Sequence, residues 1–254
     1  MDQSALQNLV QSAQASGHQV VIQCLPKTGS TSVAAALRRE GAVHELEMNA
    51  VLSLARLRLR ANFQQQRRQW LKARQERLQG RVDVCTALAL VIADLDDRQI
   101  NAMGLTRLRL NRSLRPWLHS IVNWSFAHSG NAYKQGWNNA YRTFVASIDR
   151  TLAERMPHEL GNLPQMLQFW IPVWLAYQQA LTNTEPAEHR TILTDSLRLD
   201  IHANSSTFSP DYDAAFSALV PDLPNLSDND QQNQSVSQDI HQWWLSRHPQ
   251  VSHD

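Results

Sequence analysis

The chain has 254 residues, 43% hydrophobic and 19% charged, enough for one domain with a sizeable core or for a domain with a tail. A net charge of +1 supplies no global field to draw nucleic acid or a membrane surface, so neither is expected as a partner. Two cysteines, Cys24 and Cys85, make neither a disulfide framework nor a zinc site, and the absence of a signal-like N-terminus or a bilayer-length apolar run predicts a cytoplasmic chain without a membrane span.

Residues 1–17 read as a short amphipathic helix. Val20 to Cys24 follows as a continuous apolar run, which suits a strand buried on both faces and predicts a strand over 19–25. PKTGSTS is a hydroxyl-rich turn, and a helix is expected from Ser30 to about Glu40, ending near Gly41. A strand that runs through a turn into a helix aims several backbone N–H groups at one point, which favours an anion, most often phosphate. Lys27 precedes Gly29 and no glycine stands four or five positions upstream, so the turn departs from the G-x-x-x-x-G-K-[ST] loop of nucleotide triphosphatases. The plainer reading is an ordinary turn with Ser30 as N-cap.

GAVHELEM predicts a second strand with His44, Glu45 and Glu47 at its far end. The stretch from Ala50 to Gln79 reads as one long helix bounded by Gly80, and its Arg56, Arg60, Arg67, Lys72 and Arg74 read as a solvated face, with a path for an anionic glycan as the alternative. RVDVCTALALVIADL reads as strand then helix, TRLRLNRS as a strand, and LRPWLHSIVNWSFAH as the helix after it. Residues 130–181 look helical, HRTILTDSLRLD supplies one more strand, and WWLSRHP is the apolar patch of a polar remainder. Strands separated by helices predict an α/β, three-layer fold with a central parallel sheet of P-loop type flanked by helices. The expected organisation is an N-terminal helix over 1–17, an α/β domain over 18–203 and a loop-rich extension over 204–254 that packs on it.

Ligands of such a sheet gather beyond the carboxyl ends of its strands. The residues leaving TRLRL are Arg112, whose planar fork suits a phosphate, and Ser120, about two turns inside the next helix. Two anion sites suit a ligand with phosphate at both ends. PKTGSTS, with Arg112 and Ser120 in the matching residue types and separation, resembles the sulfotransferases that use 3′-phosphoadenosine 5′-phosphosulfate (PAPS) and release adenosine 3′,5′-bisphosphate (PAP). The resemblance spans roughly residues 18–200 and departs at Ser113 and Leu114, where the family commonly has an acidic residue and proline. The family's glycine- and lysine-rich nucleotide loop near the C-terminus has no counterpart here.

The resemblance implies that PAPS, as co-substrate, is bound by Lys27, Thr28, Gly29, Ser30, Thr31, Ser32, Arg112 and Ser120, with Lys27 also stabilising the leaving oxygen and no metal required. Candidate bases are His44, whose ordinary pKa lies near neutrality, and Glu45, which needs burial to reach it. Neighbours on a strand point to opposite faces, so both reach one cleft only if the strand has already ended. Asp83 and Thr86 are lesser candidates for orienting the acceptor, His119 and His128 stand in reserve as bases, and Trp117 or Trp124 either stacks on adenine or packs in the core. The expected acceptor is a hydroxyl or amine of a glycan or a small metabolite, and the sequence gives no oligomeric state. A small-molecule kinase of P-loop type and a non-catalytic nucleotide- or partner-binding relative are the alternatives.

Overall fold

The computed structural model describes residues 1–127, 132–182, 184, 191–193, 197–199 and 216–218. It divides the chain into two compact units, Met1–Arg112 with Ala180–Ser205, and Ser113–Gln179 with Ser206–Asp254. In the first unit α1 (Gln3–Ala15) begins where the Asp2 carboxylate accepts the Ala5 N–H at 2.8 Å, a side-chain cap on an otherwise unsatisfied donor. β1 (Gln19–Gln23) follows, and α2 (Ser30–Ala36) is extended by a 3-10 turn to Glu40 before Gly41 takes a φ of 78°. β2 spans only Val43–His44.

The single long helix expected over 50–79 is two, α3 (Met48–Ala55) and α4 (Phe63–Leu78), separated by turns without glycine or proline to announce them. β3 (Asp83–Val84) leads through a 3-10 turn into α5 (Ala89–Ile92). α6 (Asp97–Ala102) carries a full capping box, with Asp96 and Gln99 satisfying each other's backbone donors. β4 (Leu105–Asn111) then crosses the sheet.

Among the described residues the sheet has five strands, all parallel, in the order β2-β3-β1-β4-β5, with β5 at Thr191–Leu193. The rest of the 189–200 segment expected as strand and exit is described only at 197–199. One face of the sheet is apolar: Val20, Ile22 and Cys24 of β1 and its exit, with Leu108 and Leu110 of β4, pack against Leu6 and Val10 of α1 and Val33 of α2. Side chains alternate along a strand, so Gln23, Asp83, Arg107 and Arg109 go to the other face. There the fully buried Arg107 donates to Asp97 Oδ1 at 3.0 and 2.5 Å and to the carbonyls of Ile92 and Leu95 at 3.2 and 2.8 Å, which fastens α5 and α6 to the sheet. Helices therefore cover both faces, giving an α/β fold of three layers.

β1 is followed in sequence by β2 on one side of it, and β4 by β5 on the other. The carboxyl ends of the neighbouring strands β1 and β4 thus form the switch point of the sheet, where connections part and where ligands of such sheets characteristically bind.

The second unit is helical: α7 (Leu114–Ala127), α8 (Ala132–Ile148), α9 (Arg150–Glu154) and α10 (Leu163–Thr182), the last of which runs on into the first unit. Its core is aromatic. Trp117 meets Trp170 edge-on at 6.1 Å, Tyr141 meets the same ring at 5.1 Å, and Trp170 Nε1 donates to Ser125 Oγ at 3.0 Å. Of the expected 204–254 extension only 216–218 is described, and WWLSRHP lies outside the described residues.

Candidate functional site

The turn after β1 is closed by a short side-chain bond, Thr28 Oγ1 donating to the Leu25 carbonyl at 2.6 Å. Gly29 takes a φ of 89°, which glycine adopts freely, and Lys27 a φ of 65°, which lysine adopts at a cost. Thr28 and Ser30 are buried, Gly29 and Ser32 half-buried, and Thr31 exposed. Lys27 is half-buried, and among the described residues its ammonium has neither a hydrogen bond nor an ion pair.

β4 ends beside this turn. Asn111 Oδ1 accepts the Arg112 N–H at 3.1 Å, and Arg112 Nη1 donates to the Lys27 carbonyl oxygen at 3.0 Å. The two cations meet at the switch point between β1 and β4. Burial first, and then the charge of Arg112, hold the Lys27 ammonium below its ordinary range. An anion bound there relieves both effects.

Of the remaining residues expected at the nucleotide, Ser120 is half-buried on α7 in the second unit. Trp117 is fully buried among aromatic rings and offers no face to adenine; Trp124 packs on Trp137 at 5.6 Å. His119 packs on the Phe216 ring at 5.0 Å within the second unit, and His128 lies outside the described residues.

At the end of β2 the condition for a shared cleft is met. The strand stops at His44, and Glu45, still donating its N–H to the Val84 carbonyl at 2.9 Å, turns with a φ of 57°. His44 Nε2 then lies 3.5 Å from Glu45 Oε1 and 3.2 Å from Ser30 Oγ. One ring nitrogen faces both partners, so this is no serine–histidine–carboxylate relay, in which the two ring nitrogens are used separately. Through Ser30 the pair abuts the turn that carries Lys27.

Glu45 Oε1 accepts the Thr86 N–H at 3.2 Å, and the Cys85 thiol faces Oε2 at 4.0 Å. Burial pushes the Glu45 carboxyl up to about 7, against the opposing hydrogen bonding of Thr86 and the charge of Arg74, with Asp83 adding to the rise. Burial lowers the His44 pKa from its ordinary value. Burial therefore moves the two groups in opposite directions, the carboxyl up towards neutrality and the imidazole down.

No family model, curated protein or solved structure matches the chain. The chemistry of the site is accordingly that of its own side chains, and two sequence expectations change. Asp83 is buried and bound bidentate by Arg74, Nε to Oδ2 at 2.6 Å and Nη2 to Oδ1 at 2.8 Å, so it is committed to an ion pair rather than to an acceptor. Arg67 and Arg74 are buried, not solvated, and Arg67 pairs with Asp94 at 2.9 and 3.0 Å, so neither lines a glycan path. The signal was spacing: both arginines fall in one stripe with Phe63, Leu71 and Leu78, the buried side of α4. Arg56, Arg60 and Lys72 are exposed.

Proposed function

We propose that this chain is a PAPS-dependent sulfotransferase that moves a sulfuryl group to a hydroxyl or amine of a glycan or small metabolite. The observation that carries the reading is the hydrogen bond from Arg112 to the Lys27 carbonyl at the β1/β4 switch point, which sets a guanidinium near an ammonium that has no partner among the described residues, beside a strand-to-helix turn. The backbone of Thr28 to Ser32 would take the 5′-phosphate, as the resemblance implies, with the Thr28 hydroxyl holding the turn shut. Arg112 would take the 3′-phosphate, as the resemblance implies.

In the transfer the acceptor oxygen or nitrogen bonds to sulfur, the bond from sulfur to the 5′-phosphate oxygen breaks, and PAP leaves. Negative charge grows on that oxygen in the transition state, where the Lys27 ammonium lowers the barrier most. The acceptor proton goes to the Glu45 carboxylate, whose pKa of about 7 suits a general base at neutral pH, with neutral His44 beside it.

A thermal-shift comparison tests the reading. PAP should raise the unfolding temperature and ATP with magnesium should not, because only a ligand of the folded state stabilises it. Single-turnover transfer from labelled PAPS across an acceptor library should then rise with pH through about 7, following Glu45. Stabilisation by ATP with magnesium alone would replace this reading with the kinase; PAP binding without transfer would replace it with a non-catalytic binder.

A further inference from the structure

The 45–47 turn is an unusual piece of backbone. Glu45 and Glu47 both take left-handed conformations, φ 57° and 54°, which side chains other than glycine and asparagine rarely hold without support. The support comes from α4. Arg74 Nη2 donates to the Leu46 carbonyl at 3.0 Å while the same guanidinium grips Asp83 at the start of β3 and reaches Glu47 Oε2 at 3.3 Å. Arg77, one turn along, closes a fork on Glu47, Nε to Oε1 and Nη2 to Oε2, both at 2.8 Å. Glu47 makes no side-chain cap for α3, because its carboxylate is already taken.

We propose that Arg74 and Arg77 are positioning residues, which hold the 45–47 turn in its left-handed form and so keep the Glu45 carboxylate beside His44. The inference rests on the reading of Glu45 as base, but its physical content is the location of that carboxylate. Only a planar fork serves the three anchors of Arg74 at once; an ammonium radiates from a single atom. The turn's tip, Leu46, is exposed, so the clamp acts from beneath while the carboxylate stays covered. The charged and titratable groups around Glu45 are His44, Asp83, Arg74 and the thiols of Cys24 and Cys85.

Carboxyl NMR of Glu45 in the full chain, with Arg74→Lys and Arg77→Gln as variants, tests the clamp. Arg74→Lys keeps the positive charge and loses the fork; Arg77→Gln removes a half-exposed anchor that does not face Glu45. Once the turn is released, the carboxylate moves into water, and its titration midpoint should fall from about 7 by at least one pH unit towards the ordinary glutamate value. A purely electrostatic role predicts no fall, because Arg74→Lys keeps the charge, Arg77 does not face Glu45, and any weakening of a cation near a fixed carboxylate raises its midpoint. An unchanged or raised midpoint in a folded variant overturns the proposal. If Arg74→Lys does not fold, Arg77→Gln decides alone. The titration needs no PAPS, so a parent protein without transfer activity refutes the function while leaving the clamp standing or falling on its own result.

Discussion

Glu45→Gln replaces a half-hidden acid by its permanently neutral isostere, and the structure sets the size of the effect. In the fold the carboxyl titrates near 7 because burial opposes its charge; in the unfolded chain it titrates near 4.5. A raised folded pKa means that the native state holds the proton more tightly. The associated stability is fully present below about pH 4.5 and is lost as pH rises through about 7. Each pH unit separating the two states is worth about 1.36 kcal/mol, giving about 3 kcal/mol across that window. A quarter of the Glu45 side chain is open to water, which screens the charge and lowers the expectation to about 2 kcal/mol. Urea unfolding of parent and variant, from pH 4.5 to 8.5, should therefore show the glutamine protein gaining on the parent by about that amount, with most of the change between pH 5 and 7. The Thr86 N–H keeps its acceptor in the amide oxygen, so the comparison isolates the charge. A stability difference that stays flat with pH would show that the carboxylate is solvated in the native state and would remove the basis for its role as a base.

Arg112→Ala should weaken PAP binding by roughly 1.5–3 kcal/mol, the range for a hydrogen bond to a charged group, as read by calorimetric titration. Lys27→Ala should leave the urea midpoint near the parent's, since its ammonium bonds nothing among the described residues, yet single-turnover transfer should collapse. Asp83→Ala leaves the Arg74 guanidinium buried without its main partner and should cost about 3–5 kcal/mol in the same unfolding assay, whereas replacing the pair together by apolar side chains of similar volume should cost much less.

The parts of the fold that were legible in the sequence are those whose patterns have one physical cause. The run Val20 to Cys24 reads as a doubly covered strand because both faces exclude water, and the break after it reads as a strand-to-helix turn because the apolar run gives way to hydroxyls and a glycine. TRLRLNRS gave the strand and the arginine at its exit for the same reason. The buried arginines escaped because a guanidinium counts as polar whether it faces water or a carboxylate, and only its position in the apolar stripe of α4 tells the two apart. α6 is a helix that the sequence reading passes over, although its capping box stands at Asp96 and Gln99 as D-x-x-Q. The end of β2 was hidden for a different reason: the left-handed turn at 45–47 uses glutamates where glycine or asparagine would have flagged it, and its conformation is set by arginines some thirty positions away in the chain. Glu45 could be named as a base candidate from sequence, but its basicity depends on burial that no local pattern records.

β4 carries its own proofreading. Leu108 and Leu110 point one way and Arg107 and Arg109 the other, so sliding the strand by one residue against β1 would carry both guanidinium groups in among Leu6, Val10 and Val33 and strand the leucines against Asp97. A misplaced leucine costs little, while a guanidinium stripped of water and of its carboxylate costs several kcal/mol. The pairing of β1 with β4 is thereby close to all-or-nothing, and with it the alignment that delivers Arg112 to the carbonyl of Lys27 rather than one residue short of it.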